Sequence, residues 1–206
     1  MEKVCRNWPK EAFSKDLINP DSWKEFEENA KLAAAEVYRL PDMAAAKEKL
    51  TEILKSLEVK SILAVGGDEY PALDKLYKDL AAEGNAIHTE KFDIAESANT
   101  ADLGISTAEF GIGETGSLCV DNYSYEARVT SMMPPVNLVF MNAAYTTKDV
   151  DTAFDVISKV FDKGYMGFVT GPSRTADIER VLSLGVHGPS RLIIFAMDSG
   201  MERSEG

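Results

Sequence analysis

The feature that most constrains this chain is a change of hydrophobic period near residue 60. Ser61-Ile62-Leu63-Ala64-Val65 is a short apolar run closed by Gly66-Gly67, the pattern of a buried strand. Pro71 then opens a helical stretch to about residue 82, which Gly84-Asn85 closes. Residues 86–89 read as a weak strand. Residues 103–106, 117–120, 136–141, 165–170 and 191–196 read as further strands, with helices over 149–161 and 175–184. Strands that alternate with helices predict an α/β fold around a mainly parallel sheet.

The N-terminal part reads differently. Residues 1–20 form an irregular arm ending at Asn19-Pro20. Ser22-Trp23-Lys24-Glu25 matches a capping box, in which the serine hydroxyl and Glu25 satisfy each other's backbone amides. Trp23, Phe26, Ala30, Ala33, Ala34 and Val37 recur at helical spacing up to the break at Pro41-Asp42. A second helix is expected through Leu57, with Leu50, Ile53, Leu54 and Leu57 as its stripe. The expected organisation is an arm and helices over residues 1–58, a main domain over 59–198, and a frayed polar tail over 199–206.

Charge excludes some partners. The chain has 22 basic and 34 acidic residues, a net charge of −12. Nucleic acid needs a basic stripe and anionic lipid a basic patch, so neither is expected as a partner. Lysine dominates the cations of residues 1–99, whereas residues 100–206 hold five arginines and three lysines. The arginine fork suits carboxylate or phosphate recognition. With two cysteines, Cys5 and Cys119, the chain cannot supply the four thiolates an iron–sulfur cluster normally takes. His88 and His187 lie far from either cysteine, so no structural zinc site is expected. A single disulfide at most, no apolar leader at the start and no membrane-length apolar run together predict a cytoplasmic protein.

Four segments are candidates for chemistry. Gly111-Ile112-Gly113-Glu114-Thr115-Gly116-Ser117 fits G-x-G-x-x-G, but a strand follows it where a dinucleotide fingerprint needs a helix. It is either a tight loop presenting Gly113, Glu114, Thr115, Gly116 and Ser117 to a ligand or a plain hairpin. Arg128, ahead of Pro134-Pro135, is either an anion clamp or scaffolding paired with Glu126 or Asp121. Thr170-Gly171-Pro172-Ser173-Arg174-Thr175-Ala176-Asp177-Ile178-Glu179 stands at a predicted strand end and helix start, where open α/β sheets bind ligands. Gly171, Ser173, Arg174, Thr175 and Asp177 are its candidates; the alternative is that Thr175 caps a helix and the acids complement its dipole. His187, between Gly185 and Gly188, is an acid or base candidate or a loop support. A Cys119–His187 dyad is weakened by the apolar strand around Cys119.

These segments carry a resemblance. Glu114-Thr115-Gly116-Ser117, Arg128 with Met133-Pro134-Pro135, the run Gly171 to Glu179, and Gly185-Val186-His187-Gly188-Pro189 resemble the LUD-domain family, specifically over about residues 100–198 and more loosely before them. The family often has threonine where Ser117 stands, and both keep a hydroxyl. The resemblance implies a NagB/RpiA/CoA-transferase-like α/β sandwich with a mainly parallel central sheet, here with an N-terminal helical extension. It implies a part in oxidising L-lactate to pyruvate beside iron–sulfur lactate-utilization proteins, this chain being the cluster-free component that needs no cofactor of its own. A small anionic metabolite is the expected ligand. Two other functions stay open. One is an enzyme acting on a phosphorylated or CoA-linked small acid, with Glu114 and His187 as catalytic candidates and Arg128 and Arg174 as anion holders. The other is a ligand-sensing or structural module.

Overall fold

The parallel strands expected from the apolar runs form, and two of them sit at the centre of everything else. The computed structural model describes residues 9–160, 165–175, 183–184 and 187–204. After two 3-10 turns, Lys10–Phe13 and Pro20–Ser22, the first half runs α1 (Trp23–Leu32), β1 (Glu36–Leu40), α2 (Met43–Ser56), β2 (Ser61–Ala64), α3 (Pro71–Ala82), β3 (Ala86–His88), α4 (Lys91–Ser97) and β4 (Leu103–Thr107). Then come β5 (Phe110–Ile112), β6 (Ser117–Asp121), α5 (Tyr125–Met132), β7 (Val136–Asn142), β8 (Thr146–Thr147), α6 (Val150–Val160), β9 (Met166–Val169), β10 (Arg174–Thr175), β11 (Ser183–Leu184) and β12 (Arg191–Met197).

Six strands make a parallel sheet in the order β1-β12-β7-β4-β2-β3. β7 and β12 are nearly continuous apolar runs because both of their faces are covered. Alternation sorts their side chains. Leu138, Phe140, Ile193 and Phe195 pack with Leu103 and Ile105 against Leu50, Ile53 and Leu54 of α2 and Leu73, Leu76 and Leu80 of α3. Val139, Met141, Leu192 and Ile194 face the other way, onto Trp23, Phe26 and Ala30 of α1 and onto Leu118 and Val120 of β6. A second sheet, β8-β5-β6-β9, thus covers the first together with α1. Its outer face, through Phe110, Ile112 and Cys119, packs on Ala153, Val156 and Val160 of α6. No helix among the described residues is long and apolar enough to cross a membrane.

Four local expectations fail, each for a physical reason. The first helix does not continue to Pro41. α1 stops at Leu32, Ala34 takes the left-handed conformation with φ 67°, and Ala35 N–H closes back on Ala30 O at 2.9 Å. Val37 then enters β1, where pairing with β12 outweighs the helical spacing. The capping box does not form either: Ser22 is itself helical and makes no side-chain cap bond. Asn19 instead accepts from Asp21 N–H at 3.0 Å one turn earlier. β1 is thus an edge strand of the main sheet, and α1 packs in the core. The helix expected from Thr175 does not start there, because Arg174 and Thr175 pair antiparallel with Leu184 and Ser183; residues 176–182 lie outside the described residues. Finally, the tail is docked rather than frayed through Ser204: Met201 is buried and Arg203 is ion-paired with Glu109. Residues 205–206 lie outside the described residues.

One ion pair fastens the sheet edge. Arg191 of β12 holds Glu36 of β1 with both nitrogens of its fork, NH2 to Oε2 at 2.8 Å. Arg191 pulls the Glu36 carboxyl below its ordinary 4.5, against the opposite effect of burial. A depressed carboxylate stabilises the fold above its ordinary pKa, and the contribution disappears as pH falls through the lower, folded value. Urea unfolding of Glu36→Gln is therefore expected to show a deficit at pH 7 that shrinks toward zero in acid. About a third of each side chain is exposed, so the deficit is at most about 1 kcal/mol.

Candidate functional site

The site is built where the sheet changes direction. The chain leaves β2 through α3 to β3 on one side, while β4 lies on the other, so the carboxyl ends of β2 and β4 diverge into a crevice. Open α/β sheets bind their ligands at such a switch point. Beyond β2, Gly66 takes φ 89° and its carbonyl accepts from Glu69 N–H (3.2 Å) and Tyr70 N–H (2.9 Å). A β-carbon there would lie 2.7 Å from Thr107 Cγ2, so glycine lets this turn close against the end of β4. Opposite stand the end of β6 and the start of α5, where Ser124 Oγ accepts from Ala127 N–H at 3.0 Å.

These segments enclose a cleft of about 620 Å³, within the range of small-molecule sites. Among the described residues, six carboxylates line it, Asp68, Glu69, Asp74, Glu90, Asp121 and Glu126, against one lining ammonium, Lys91, and Asp74 is also paired with Lys78 at 2.6 Å. Asp121 Oδ1 accepts from Tyr123 N–H at 2.8 Å, and Ser106 Oγ donates to Asn137 Oδ1 at 3.0 Å. Burial pushes the Tyr77 phenol well up, so it stays a neutral donor, bonded to Val65 O at 2.8 Å. A cleft lined mostly by one sign of charge concentrates ligands of the other sign and repels its own. This one disfavours a free small anion and suits a neutral or cationic group rich in donors. The sequence touches this cleft only through Gly66-Gly67 at the end of a strand, followed by Asp68-Glu69, and through Asp121 and Glu126, which it offers only as ion-pair partners of Arg128.

Most of the motif residues meet elsewhere, around the C-terminal half of α1. Gly113 to Gly116 form the turn of the β5–β6 hairpin. Gly113 N–H donates to Thr147 O and Glu114 N–H to Lys148 O, at 2.8 and 2.9 Å. Asn29 of α1 donates from Nδ2 to Gly113 O (2.8 Å) and Glu114 O (3.1 Å). The Glu114 carboxylate accepts from Val150 N–H at 3.2 Å, at the positive end of α6. Thr115 Oγ1, Ser117 Oγ and Thr170 Oγ1 form a hydroxyl chain with steps of 2.7 and 2.6 Å. Gly171 lies against Ala33 O, and Arg174 NH2 donates to that carbonyl at 3.2 Å, capping the end of α1. The structure thus brings Gly113, Glu114, Thr115, Gly116, Ser117, Gly171 and Arg174 together as a seam between α1 and the hairpin. Asn29→Ala removes both side-chain bonds to the hairpin and is expected to cost about 1–3 kcal/mol in urea unfolding.

The remaining candidates are dispersed. Ser173 N–H donates to Pro189 O at 2.8 Å, which sets the His187-Gly188-Pro189 loop beside it, with His187 exposed. Thr175 is in β10, and Asp177 lies outside the described residues. Arg128 pairs with neither Glu126 nor Asp121: NH1 donates to Asn122 O (2.7 Å) and Tyr123 O (2.9 Å), and the guanidinium lies 5.9 Å from the Tyr165 ring. It clips the loop that carries Asn122 into the cleft wall. Arg191 is held by Glu36. Cys119 is fully buried, and burial with Glu109 nearby pushes its thiol well up, the opposite of an activated nucleophile. Among the described residues, no group of three or more His, Cys, Asp and Glu is arranged to hold a metal ion.

Comparison with known proteins adds the relationship. The LUD domain family model matches residues 23–197, from the first residue of α1 to the last of β12. Over 183 residues the chain is 28% identical to Lactate utilization protein C of Oceanobacillus iheyensis, covering 79% of this chain and 76% of that protein. An uncharacterized protein of Neisseria meningitidis is 33% identical over 99 residues, 47% of this chain and 42% of that protein. Lactate utilization protein C of Geobacillus thermodenitrificans is 28% identical over 135 residues, 60% of this chain and 55% of that protein. The matches thus span about half the length of these last two relatives. The crystal structure of a DUF162 family protein from Deinococcus radiodurans superposes with a TM-score of 0.62 at 16% identity, covering 86% of this chain and 96% of that one. That likeness concerns the fold alone.

Proposed function

This chain belongs to the LUD domain family, and from that premise we propose that it serves in lactate utilization as a component that carries no electron-transfer centre of its own. The observation that carries this reading is the similarity to Lactate utilization protein C of Oceanobacillus iheyensis across most of both chains. Oxidation of L-lactate to pyruvate releases two electrons and two protons. The two cysteines of these 206 residues are too few for a four-thiolate cluster, and in this proposal iron–sulfur partner proteins take up the electrons. The working surface of the chain is the cleft at the ends of β2 and β4. Its six carboxylates favour a neutral or cationic group, either of a ligand or of a partner, over free lactate.

The small anion expected from the arginines finds less support than this. Arg128 and Arg174 hold backbone carbonyls and Arg191 holds Glu36. A strain of the source organism lacking this chain tests the proposal. It is expected to lose growth on L-lactate and keep growth on glucose, and the tagged chain is expected to co-purify with iron–sulfur proteins from lactate-grown cells. Normal growth of the deletion strain on L-lactate would overturn the proposal.

A further inference from the structure

The residues after β12 lie beyond the stretch matched by the family model, yet Met201–Ser204 pack against the turn that follows β2. Asp198 N–H donates to Leu40 O at 2.9 Å and Ser199 Oγ to Pro41 O at 2.7 Å, which turns the chain back across the start of α2. Met201 then enters the core formed with α2 and α3. Arg203 pairs with Glu109, and its Nε donates to the Tyr70 hydroxyl at 3.0 Å. Its guanidinium stands 5.5 Å from the Tyr70 ring. Ser204 N–H donates to Glu69 O at 2.7 Å. A cavity of about 320 Å³ remains beneath, among Phe13, Tyr70, Tyr145 and Met201.

Every partner of Arg203 and Ser204 named here belongs to a segment that shapes the cleft. Glu69 and Tyr70 are in the turn after β2, and Glu109 follows β4 by two residues. Within itself, that turn is closed by the two bonds to Gly66 O. We propose that Met201–Ser204 is a strap that holds the 66–70 wall of the cleft, so that its release opens this wall while the parallel sheet stays intact. The strap has two states rather than a continuum. Glu109 and Arg203 are 5% and 15% exposed, so a half-released strap pulls apart a buried ion pair before either group is hydrated. Either the pair is docked, or both groups are hydrated and the chain is free.

Hydrogen exchange on the full chain tests this. Ser204→Pro deletes the N–H that reaches Glu69 O and keeps the Arg203 side chain. Arg203→Ala deletes the ion pair, and Arg203→Lys keeps a charge without the fork. In Ser204→Pro the amides of Glu69 and Tyr70 are expected to exchange about tenfold faster or more, while those of β7 and β12 accelerate by a clearly smaller factor; in Arg203→Ala, which lowers the stability of the whole fold, both sets accelerate. Arg203→Lys is expected to fall between wild type and Arg203→Ala. Wild-type exchange at Glu69 and Tyr70 in Ser204→Pro overturns the strap. So does acceleration in Ser204→Pro that is no greater there than in β7 and β12. If Arg203→Ala does not fold, Ser204→Pro decides alone.

Discussion

Gly116→Ala is expected to leave little folded protein at 25 °C. A β-carbon at this position would stand 2.1 Å from the backbone nitrogen of Ala30 and 2.3 Å from the carbonyl carbon of Asn29, with φ at +65°. Those atoms are the backbone of α1, which is itself fixed by Phe26 and Ala30 in the core, so neither side can yield. The cost is more than about 4 kcal/mol, against a total stability of about 5–15 kcal/mol for a domain. Gly171→Ala meets Ala33 O at 2.1 Å with φ at +76° and is expected to behave alike. Gly188→Ala is the contrast, because its β-carbon would make only an ordinary 3.4 Å contact with Ser173 Cβ. It is expected to change stability by no more than about 0.5 kcal/mol. Soluble yield and urea midpoints of the three variants check this. A ligand-facing glycine loop predicts the reverse pattern for Gly116, a folded protein that has lost a function.

Arg203→Ala carries the second large effect. It removes the guanidinium paired with the Glu109 carboxylate, which is 5% exposed at the buried end of β4. Removing one partner of a buried pair typically costs about 3–5 kcal/mol, whereas replacing both by apolar groups of similar size is often near neutral. The double variant Glu109→Leu with Arg203→Met is therefore expected to recover most of the loss. Urea unfolding of wild type, both single variants and the double variant gives the coupling energy directly. A double variant as unstable as the worse single one contradicts the account of Arg203 as the compensating charge.

The parallel sheet was legible because strands covered on both faces are nearly continuous apolar runs, and β2, β7 and β12 are. β1 was hidden for the opposite reason. Glu36-Val37-Tyr38-Arg39-Leu40 is a half-exposed edge strand, and Ala33, Ala34 and Val37 continue the helical spacing into it. The turn between them uses Ala34 in a left-handed conformation, where a glycine would have announced the stop. α4 and α5 have seven and eight residues, too short to show a full helical stripe. The glycine motif at 111–117 reads in the sequence either as backbone close to a ligand or as a plain hairpin. The sequence does not say what approaches, and at Gly116 and Gly171 it is α1. The cleft stayed invisible because its carboxylates come singly or in pairs from segments as far apart as Asp68 and Glu126, each ordinary in its own neighbourhood.

The central claim is that the chain works in lactate utilization through the cleft, with the motif seam as support. Complementation of the deletion strain tests both parts at once, with growth rate on L-lactate as the readout and soluble protein level as the check on folding. Wild type is expected to restore growth. Arg174→Ala, which loses one bond to an exposed backbone carbonyl, is expected to restore it as well. Asp68→Arg combined with Glu126→Arg reverses two of the six lining carboxylates and is expected to fail at wild-type protein level. Growth restored by the cleft variant but not by Arg174→Ala, both at wild-type protein level, would contradict the account and return the function to the motif residues.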